Sequence, residues 1–348
     1  MISIAGRQIG THARPYLIAE MSGNHNQSID RALAIVDAAA EAGADAVKLQ
    51  TYTAQTMTLQ LSTPGFIVND PSSLWCGRQL YDLYKEAHTP WEWHKPIMDR
   101  ARHHGMECFR TPFDASAVDF LESLGVSAYK IASFECTDLP LIRKVASTGK
   151  PMLISVGMAS LAEIDNAVTT ARHGGCRDLV LLKCTSTYPA TPENTNVRTI
   201  AHMQGAFGCD VGLSDHTMGL GAAIAAIALG AVLIEKHFTT CRADGGVDAA
   251  FSMEPHEFKA LRDESERAWQ SLGQIQYGIS QIERKSLQFR RSLYVVENIS
   301  TGERLTQKNV RAIRPGLGMP PEHLEHVLGL TADRDIPRGT PLDWHLLK

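Results

Sequence analysis

Eight short apolar runs alternate with longer amphipathic stretches along most of the sequence. The apolar runs are typical of buried strands and cover residues 16–20, 46–50, 107–110, 128–133, 152–157, 179–185, 211–216 and 233–238. The stretches between them predict helices over 30–42, 90–104, 115–124, 139–147, 161–172, 197–207 and 221–229. This alternation predicts a (β/α)8 TIM barrel. A doubly wound open sheet is the alternative, although no Gly-x-Gly-x-x-Gly follows the first strand.

The pattern changes near Gln270. Residues 273–288 are polar and have no clear period, which predicts a linker at the end of a barrel domain over 1–272. From Phe289 onward, short strand-like pieces alternate with Gly/Pro turns, so a small β-rich domain with a thin core is expected over 289–348. The segment 51–88 is longer than a usual barrel connection and is predicted to serve substrate binding or to carry a small extra helix.

Charge and cysteine content limit the classes of partner. The net charge of −4 and the absence of Lys/Arg runs argue against a nucleic-acid or membrane surface. The first residues contain no apolar stretch long enough for a signal peptide or a membrane span. Seven cysteines without a Cys-x-x-Cys pair are typical of reduced thiols in a cytoplasmic protein, and we interpret them as packing residues.

Polar side chains stand at the ends of all the predicted strands. In a (β/α)8 barrel these ends share one face, where catalytic residues collect. Barrel interiors otherwise favour branched aliphatic residues, because a charge buried there without a partner is costly. A functional centre is therefore the simpler interpretation of this set: Glu20, Lys48, Gln50, Arg110, Thr111, Lys130, Ser133, Ser155, Lys183, Ser186, Ser214, His216, Glu235 and His237.

Two histidines end predicted strands that follow one another, in Gly212-Leu213-Ser214-Asp215-His216-Thr217 and Ile234-Glu235-Lys236-His237-Phe238. If these strands are parallel neighbours, His216 and His237 face one another across a gap suited to a metal ion. Two imidazoles with waters or ligand oxygens suit a Mn²⁺-like or Zn²⁺-like Lewis acid. The alternative is that His216 is a satisfied core histidine. His25 is explained equally well as a loop cap or as a substrate contact.

The other polar strand ends indicate an anionic ligand. Lys48 and Lys130 supply positive charge, and Lys183 is a third candidate. Hydroxyl donors are provided by Thr111, Ser133, Ser155 and Ser214. Together these groups suit a phosphate that bears a carboxylate.

A series of segments resembles the sialic acid synthases, which condense phosphoenolpyruvate with an N-acetylated hexose. In order, the segments are Ile18-Ala19-Glu20, Asn24-His25-Asn26, Ala44-Asp45-Ala46-Val47-Lys48-Leu49-Gln50-Thr51, Thr111-Pro112-Phe113-Asp114, Tyr129-Lys130-Ile131-Ala132-Ser133, Cys184-Thr185-Ser186-Thr187-Tyr188-Pro189, Leu213-Ser214-Asp215-His216-Thr217, Glu235-Lys236-His237-Phe238 and Phe289-Arg290-Arg291-Ser292-Leu293. The resemblance implies a (β/α)8 barrel joined to a β-rich antifreeze-like (SAF) domain. It also implies a domain-swapped homodimer in which each SAF domain covers the partner's barrel mouth.

The same resemblance implies a role for each candidate residue. A divalent ion, Mn²⁺ with Mg²⁺ or Co²⁺ as alternatives, would be held by His216 and His237, and Glu20 would be the catalytic carboxylate. Phosphoenolpyruvate would be bound by Lys48, Thr111, Lys130, Ser133, Ser155, Ser186 and Ser214. The acetamido sugar would be bound by Tyr188, Asp248, Phe289 and Arg314, of which Arg314 crosses to the partner's substrate.

Within the family, the loops are most similar to the pseudaminic acid synthase branch. Glu20-Met21-Ser22-Gly23-Asn24 replaces the Glu-Ile-Gly-(Ile/Val)-Asn usual in N-acetylneuraminate synthases, and Ser186 stands where many of those enzymes have Asn. This favours 2,4-diacetamido-2,4,6-trideoxy-β-L-altropyranose as the acceptor, with N-acetylneuraminate or legionaminate synthesis as alternatives. A metal-dependent barrel aldolase or hydrolase is a more distant alternative. So is a non-enzymatic carbohydrate- or ice-binding role for the C-terminal domain.

Overall fold

The computed structural model describes residues 2–348, and the chain divides into two compact units, Met1–Gly273 and Gln274–Lys348. The first unit begins with an antiparallel hairpin of β1 (Ile2–Ile4) and β2 (Arg7–Ile9). Its barrel strands are β3 (Tyr16–Glu20), β4 (Ala46–Thr51), β5 (Glu107–Pro112), β6 (Tyr129–Ile131), β7 (Met152–Ser155), β8 (Leu179–Cys184), β9 (Asp210–Asp215) and β10 (Leu233–His237). They are parallel and close into a barrel in which β10 pairs with both β9 and β3. The predicted (β/α)8 barrel is thus confirmed.

Helices connect the strands and bury one face against the barrel. They are α1 (Ile29–Glu41), α2 (Ala54–Met57), α3 (Leu80–Ala87), α4 (His94–His103), α5 (Ala115–Ser123), α6 (Leu139–Ala146), α7 (Leu161–His173), α8 (Pro192–Thr195), α9 (Thr199–Phe207), α10 (Gly221–Ala228) and α11 (Pro255–Leu272). Side chains define several helix starts: Ser160 and Glu163 form a capping box at α7, and Asp114 caps α5. Short 3-10 helices occupy Trp91–Trp93, Ser133–Glu135, Arg242–Asp244 and Ala249–Phe251.

Parts of this unit were not predicted from the sequence. The β1–β2 hairpin was not predicted. Nor was α11, which follows the last barrel strand, because its sequence is rich in charged residues and only Phe258, Leu261 and Ser265 are buried. The long segment 51–88, which was predicted to serve substrate binding or to carry a small extra helix, contains two short helices, α2 and α3, with connecting turns.

The interior of the barrel changes character along its axis. Residues two apart on a strand face the same side. Ile18 and Phe109 are fully buried in an apolar cluster, and two positions further along the same strands stand Glu20 and Thr111. The apolar cluster includes the isoleucines of the β1–β2 hairpin. An apolar plug therefore fills the end where the strands begin, and polar side chains fill the end where the strands finish.

The second unit has a core of its own. Two antiparallel strands, β11 (Ser292–Val295) and β12 (Val310–Ile313), pair with each other. Leu293, Val295, Ile299, Leu305 and Val310 belong to the apolar cluster beneath them. The short helix α12 (Leu324–Val327) and 3-10 helices at Glu283–Phe289, Pro321–His323 and Trp344–Leu346 complete the unit. Among residues 2–348, no helix is both long and apolar enough to span a membrane.

Candidate active site

A cluster of buried charges lies where the barrel strands finish. Glu235 Oε1 accepts hydrogen bonds from Lys48 Nζ at 3.0 Å and from Ser214 Oγ at 3.0 Å, and Lys130 Nζ lies 3.6 Å away. Glu20 Oε2 forms a second ion pair with Lys48 Nζ at 2.8 Å. All five residues are buried. Five different strands therefore deliver two ammonium groups, two carboxylates and a hydroxyl to one point.

Attraction to the neighbouring lysines keeps the Glu235 carboxylate ionised despite its burial. Burial alone would raise the pKa of the Glu235 carboxyl, but the ammonium groups of Lys130 and Lys48 hold that pKa well below its usual range. Burial lowers the pKa of Lys48 to about 8, although the nearby Glu235 opposes this shift. An anionic ligand that reaches the two lysines would replace the carboxylates as their partner. Glu235 was recognised in the sequence only as a polar strand end, and its central place was missed.

The predicted hydroxyl donors converge at the same end of the barrel. Thr111 Oγ1 and Ser155 Oγ are buried and have no hydrogen-bond partner among the described residues. Ser133 Oγ accepts a hydrogen bond from the Gly157 N–H at 3.1 Å. A Cβ at Gly157 would clash with Ser186 Oγ and Ser133 Oγ, so glycine leaves room for both hydroxyls at this position. Such unpartnered donors suit the oxygens of a phosphate.

The two histidines face one another as predicted, with ring centroids 5.3 Å apart. His216 Nδ1 donates a hydrogen bond to the Thr185 carbonyl at 2.9 Å, which leaves Nε2 free to bind a ligand. His237 Nδ1 is buried without a hydrogen-bond partner among the described residues and lies 4.0 Å from Asp248 Oδ2. Burial lowers the pKa of His237 well below its ordinary value, so the ring is in the neutral form that metals require.

This pair fits a metal held by few protein ligands. Within residues 2–348, no group of three or more His, Cys, Asp or Glu side chains is placed to hold a metal ion. Two facing imidazoles, one of which lines an open cavity, suit an ion whose other ligands are waters or substrate oxygens. His237 Nδ1 supports a metal site at this position, since a buried polar atom normally has a hydrogen-bond partner and this atom has none among the described residues.

A cavity of about 630 Å³ opens beside His237 and Asp248. The indole N–H of Trp75 donates to the Val247 carbonyl at 3.0 Å, and the Trp75 ring lies 5.8 Å from that of Tyr188. The long segment 51–88 thus contributes directly to the cavity. Its walls include the aromatic side chains of Tyr52, Trp75, Phe113, Phe134 and Tyr188. A cavity of this size and character suits a sugar that carries apolar substituents.

The structure also brings residues to the site that the sequence analysis did not select. Glu135 lines the cavity, and burial raises the pKa of its carboxyl to about 7 although Lys130 opposes the shift. Cys184 was interpreted as packing, but its Sγ lies 4.0 Å from His216 Nδ1 and 3.7 Å from Ser186 Oγ. Cys184 lies within one of the motif segments, and Glu135 follows another by two residues. An inward-facing position at a strand end was the available signal for Cys184.

Other polar strand ends turn away from the interior, which corrects the prediction. Lys183 was a candidate for charge at the ligand, but its ammonium donates to the Cys184 carbonyl at 2.8 Å. Because neighbouring residues on a strand alternate in direction, the inward position of Cys184 places Lys183 outside. Arg110 is buried beneath α4, where it donates to the Phe109 carbonyl at 2.8 Å. His25 is bonded within its loop, since its Nδ1 accepts from the Gln27 N–H at 3.2 Å.

Two of the predicted sugar-binding residues belong to the second unit. Phe289 and Arg314 are both exposed side chains there. Tyr188 and Asp248 belong to the first unit and line the cavity beside His237.

Comparison with known proteins identifies the family. Residues 35–277 match the NeuB family, and residues 290–348 match the SAF domain. The chain belongs to the NeuB family. The predicted resemblance to the sialic acid synthases, with a C-terminal SAF domain, is therefore confirmed.

Several named relatives align over nearly the whole chain. A pseudaminic acid synthase of Campylobacter jejuni is 40% identical over 96% of this chain and 98% of the relative. The pseudaminic acid synthase of Helicobacter pylori is 40% identical over 94% and 96%. An N,N'-diacetyllegionaminic acid synthase of C. jejuni is 34% identical over 92% and 96%. Among NeuB structures, that of an N-acetylneuraminic acid synthetase from Leptospira borgpetersenii superposes with a TM-score of 0.73 at 29% identity, covering 82% of this chain and 94% of that one.

Proposed function

We propose that this NeuB protein is a pseudaminic acid synthase. It condenses phosphoenolpyruvate with 2,4-diacetamido-2,4,6-trideoxy-β-L-altropyranose and water to give pseudaminate and phosphate. The observation that carries the proposal is the 40% identity to a C. jejuni pseudaminic acid synthase, against 34% to a legionaminic acid synthase of the same organism. The cluster of two lysines, with the free hydroxyls of Thr111 and Ser155, and a largely apolar cavity are what such a pair of substrates requires.

Phosphoenolpyruvate is bound by the lysine and hydroxyl groups at the strand ends. Lys48 and Lys130 neutralise its phosphate and carboxylate and so exchange their contacts with Glu20 and Glu235 for contacts with the ligand. The hydroxyls of Thr111, Ser133, Ser155, Ser186 and Ser214 donate to its oxygens. The hydroxyls of Thr111 and Ser155 have no other partner among the described residues, which reduces the cost of reorganisation during the reaction.

The carbon–carbon bond forms between C3 of phosphoenolpyruvate and the aldehyde carbon of the open-chain sugar. The π electrons of phosphoenolpyruvate form that bond, and the positive charge that develops at C2 is trapped by water. Phosphate leaves as the tetrahedral intermediate collapses to the keto acid. Glu20, paired with Lys48 at this end of the barrel, is the carboxylate that handles a proton during these steps.

His216 and His237 hold a divalent ion in this proposal, with Mn²⁺ preferred and Mg²⁺ or Co²⁺ as alternatives. When bound, the ion supplies Lewis acidity that polarises the sugar aldehyde. The role of the chain is to present two imidazole rings in a fixed orientation. The hydrogen bond from His216 to the Thr185 carbonyl orients one of them, and the buried position beside Asp248 orients the other.

A homodimer with exchanged SAF domains completes the sugar site in this proposal. Ile275, Tyr277 and Ile282 at the start of the second unit are 93%, 94% and 90% exposed. Large apolar side chains exposed together favour burial against another surface. The exposed Phe289 and Arg314 belong to the same unit, and Arg314 has a fork of N–H donors suited to an acetamido carbonyl. We place the dimer in the cytoplasm, because all seven cysteines are free thiols.

The direct test is a panel of acceptors. The purified protein is incubated with phosphoenolpyruvate, Mn²⁺ and each of several acetamido sugars, and both phosphate release and product mass are recorded. We expect pseudaminate from the 2,4-diacetamido-2,4,6-trideoxy altrose acceptor and little product from N-acetylmannosamine. Preferred turnover of N-acetylmannosamine or of the legionaminate precursor would reassign the branch. Cleavage of a sugar without consumption of phosphoenolpyruvate would favour the aldolase alternative.

Replacement of Lys130 by Met is predicted to weaken phosphoenolpyruvate binding selectively. The variant loses one of two ammonium groups at the anion site, so KM for phosphoenolpyruvate should rise by about tenfold or more, with a smaller change for the sugar. Steady-state kinetics with each substrate varied in turn measures the two constants. Lys144→Met, on the outer helix α6, is the matched control and should leave both unchanged. Equal increases in the two KM values for Lys130→Met would contradict the assignment.

A further inference from the structure

Ser22 adopts a backbone conformation that serine normally avoids. Its φ is +47°, in the left-handed region that is disfavoured for every residue with a Cβ. The residue is buried at the end of β3 and lines the cavity beside His237. Glycine would adopt this conformation without strain. Because serine is found at this strained position instead of glycine, its side chain is expected to have a role.

Ser22 contacts two carboxylates, one through its backbone and the other through its side chain. The Ser22 N–H donates to Glu20 Oε1 at 3.0 Å. The Ser22 hydroxyl donates to Asp248 Oδ2. Glu20 and Asp248 stand on different elements, one at the end of β3 and the other after β10. Ser22 is thus a bridge between the charged cluster and the cavity.

Hydrogen bonds through Asn24 and Ser252 connect the turn that contains Ser22 to the segment that contains Asp248. Asn24 Nδ2 donates to the Phe238 carbonyl at 2.9 Å and to Ser252 Oγ at 2.8 Å. Ser252 Oγ in turn donates to the Asp248 carbonyl at 2.7 Å. The turn after β3 is therefore tied to the segment that carries Asp248, and residue 22 cannot move independently of it. The left-handed backbone directs the hydroxyl at the carboxylate.

We propose that Ser22 is a positioning residue that sets the orientation of Asp248 toward the acceptor sugar and of Glu20 toward the reacting atoms. The proposal rests on the assignment of this centre as the synthase active site. The hydroxyl of Ser22 serves the reaction, and the strained backbone of this residue is the cost of placing that hydroxyl against Asp248. The backbone N–H to Glu20 survives any substitution except proline, so the side chain of residue 22 acts through Asp248 alone.

Two variants separate the hydroxyl from the strain. Ser22→Gly and Ser22→Ala both remove the hydroxyl, but only Ser22→Ala keeps a Cβ in the left-handed region. We expect kcat/KM for the acceptor to fall by about tenfold or more in both variants, with KM for phosphoenolpyruvate changed much less. The melting temperatures should differ, with Ser22→Gly higher than Ser22→Ala by about 2–4 °C. Activity then follows the hydroxyl, while stability follows the Cβ.

Ala5→Gly provides the matched control. Ala5 is an exposed residue with φ of +49° in the β1–β2 turn, so its replacement relieves the same strain far from the strand-end cluster. It should raise the melting temperature and leave the kinetics unchanged.

Wild-type kcat/KM for the acceptor in either Ser22 variant overturns the proposal. If no acceptor is turned over by the wild type, the synthase assignment falls instead. Crystal structures of wild type and Ser22→Gly then decide whether Asp248 has lost its orientation, and an unchanged carboxylate overturns the role of Ser22.

Discussion

The His237→Ala variant is expected to lose turnover completely while it keeps its fold. His237 Nδ1 has no hydrogen-bond partner among the described residues, and the ring borders a cavity, so its removal breaks no structural bond. One of the two imidazoles proposed to hold the divalent ion disappears, and the affinity for Mn²⁺ should fall strongly. Phosphate release, Mn²⁺ titration by electron paramagnetic resonance and thermal melting measure the three quantities independently.

A matched histidine and a chelator complete this test. His173 is exposed at the end of α7, and His173→Ala should behave as wild type in all three measurements. Wild-type protein treated with EDTA should lose activity and regain it when Mn²⁺ is added. Full activity after exhaustive EDTA treatment would show that the two histidines serve another purpose.

The sequence predicted the barrel and much of its polar end for a single physical reason. Parallel strands that are buried on both faces appear in a sequence as short continuous apolar runs. The last inward-facing residues of such strands are the ones that become polar at a catalytic centre. Lys48, Lys130, Ser155 and His237 could be selected in this way, and the structure brings them to one end of the barrel. The same alternation explains the failure at Lys183, whose inward neighbour is Cys184.

Other features had no comparable signal. The place of Trp75 over the cavity depends on the path of a long irregular segment, which periodicity does not describe. The central position of Glu235 between two lysines follows from contacts across the barrel rather than from neighbours in sequence. The left-handed backbone at Ser22 is equally invisible, because serine has no preference for it. These features depend on tertiary structure.

Arg314→Ala is expected to weaken the binding of the acceptor sugar by about 1.5–3 kcal/mol, the usual range for a hydrogen bond to a charged group. Arg314 is exposed on the second unit, so the substitution should not affect the melting temperature. KM for the sugar should rise accordingly, while KM for phosphoenolpyruvate changes little. Arg311→Ala, an exposed arginine on the neighbouring β12, is the matched control and should retain wild-type kinetics. Equal losses in the two variants would indicate a general effect of charge rather than a specific contact.

Mixing two impaired chains tests whether Arg314 acts in the partner's site. His237→Ala has no functional barrel, whereas Arg314→Ala has an intact barrel and a defective SAF domain. In a mixed dimer with exchanged domains, the barrel of the Arg314→Ala chain receives an intact Arg314, so one of its two sites is complete. Random pairing makes half of the dimers mixed, and the mixture should recover about one quarter of wild-type activity. If each SAF domain served its own barrel, every site would lack either His237 or Arg314. Mixed dimers verified by mass that remain as weak as the Arg314→Ala chain would therefore exclude the exchange.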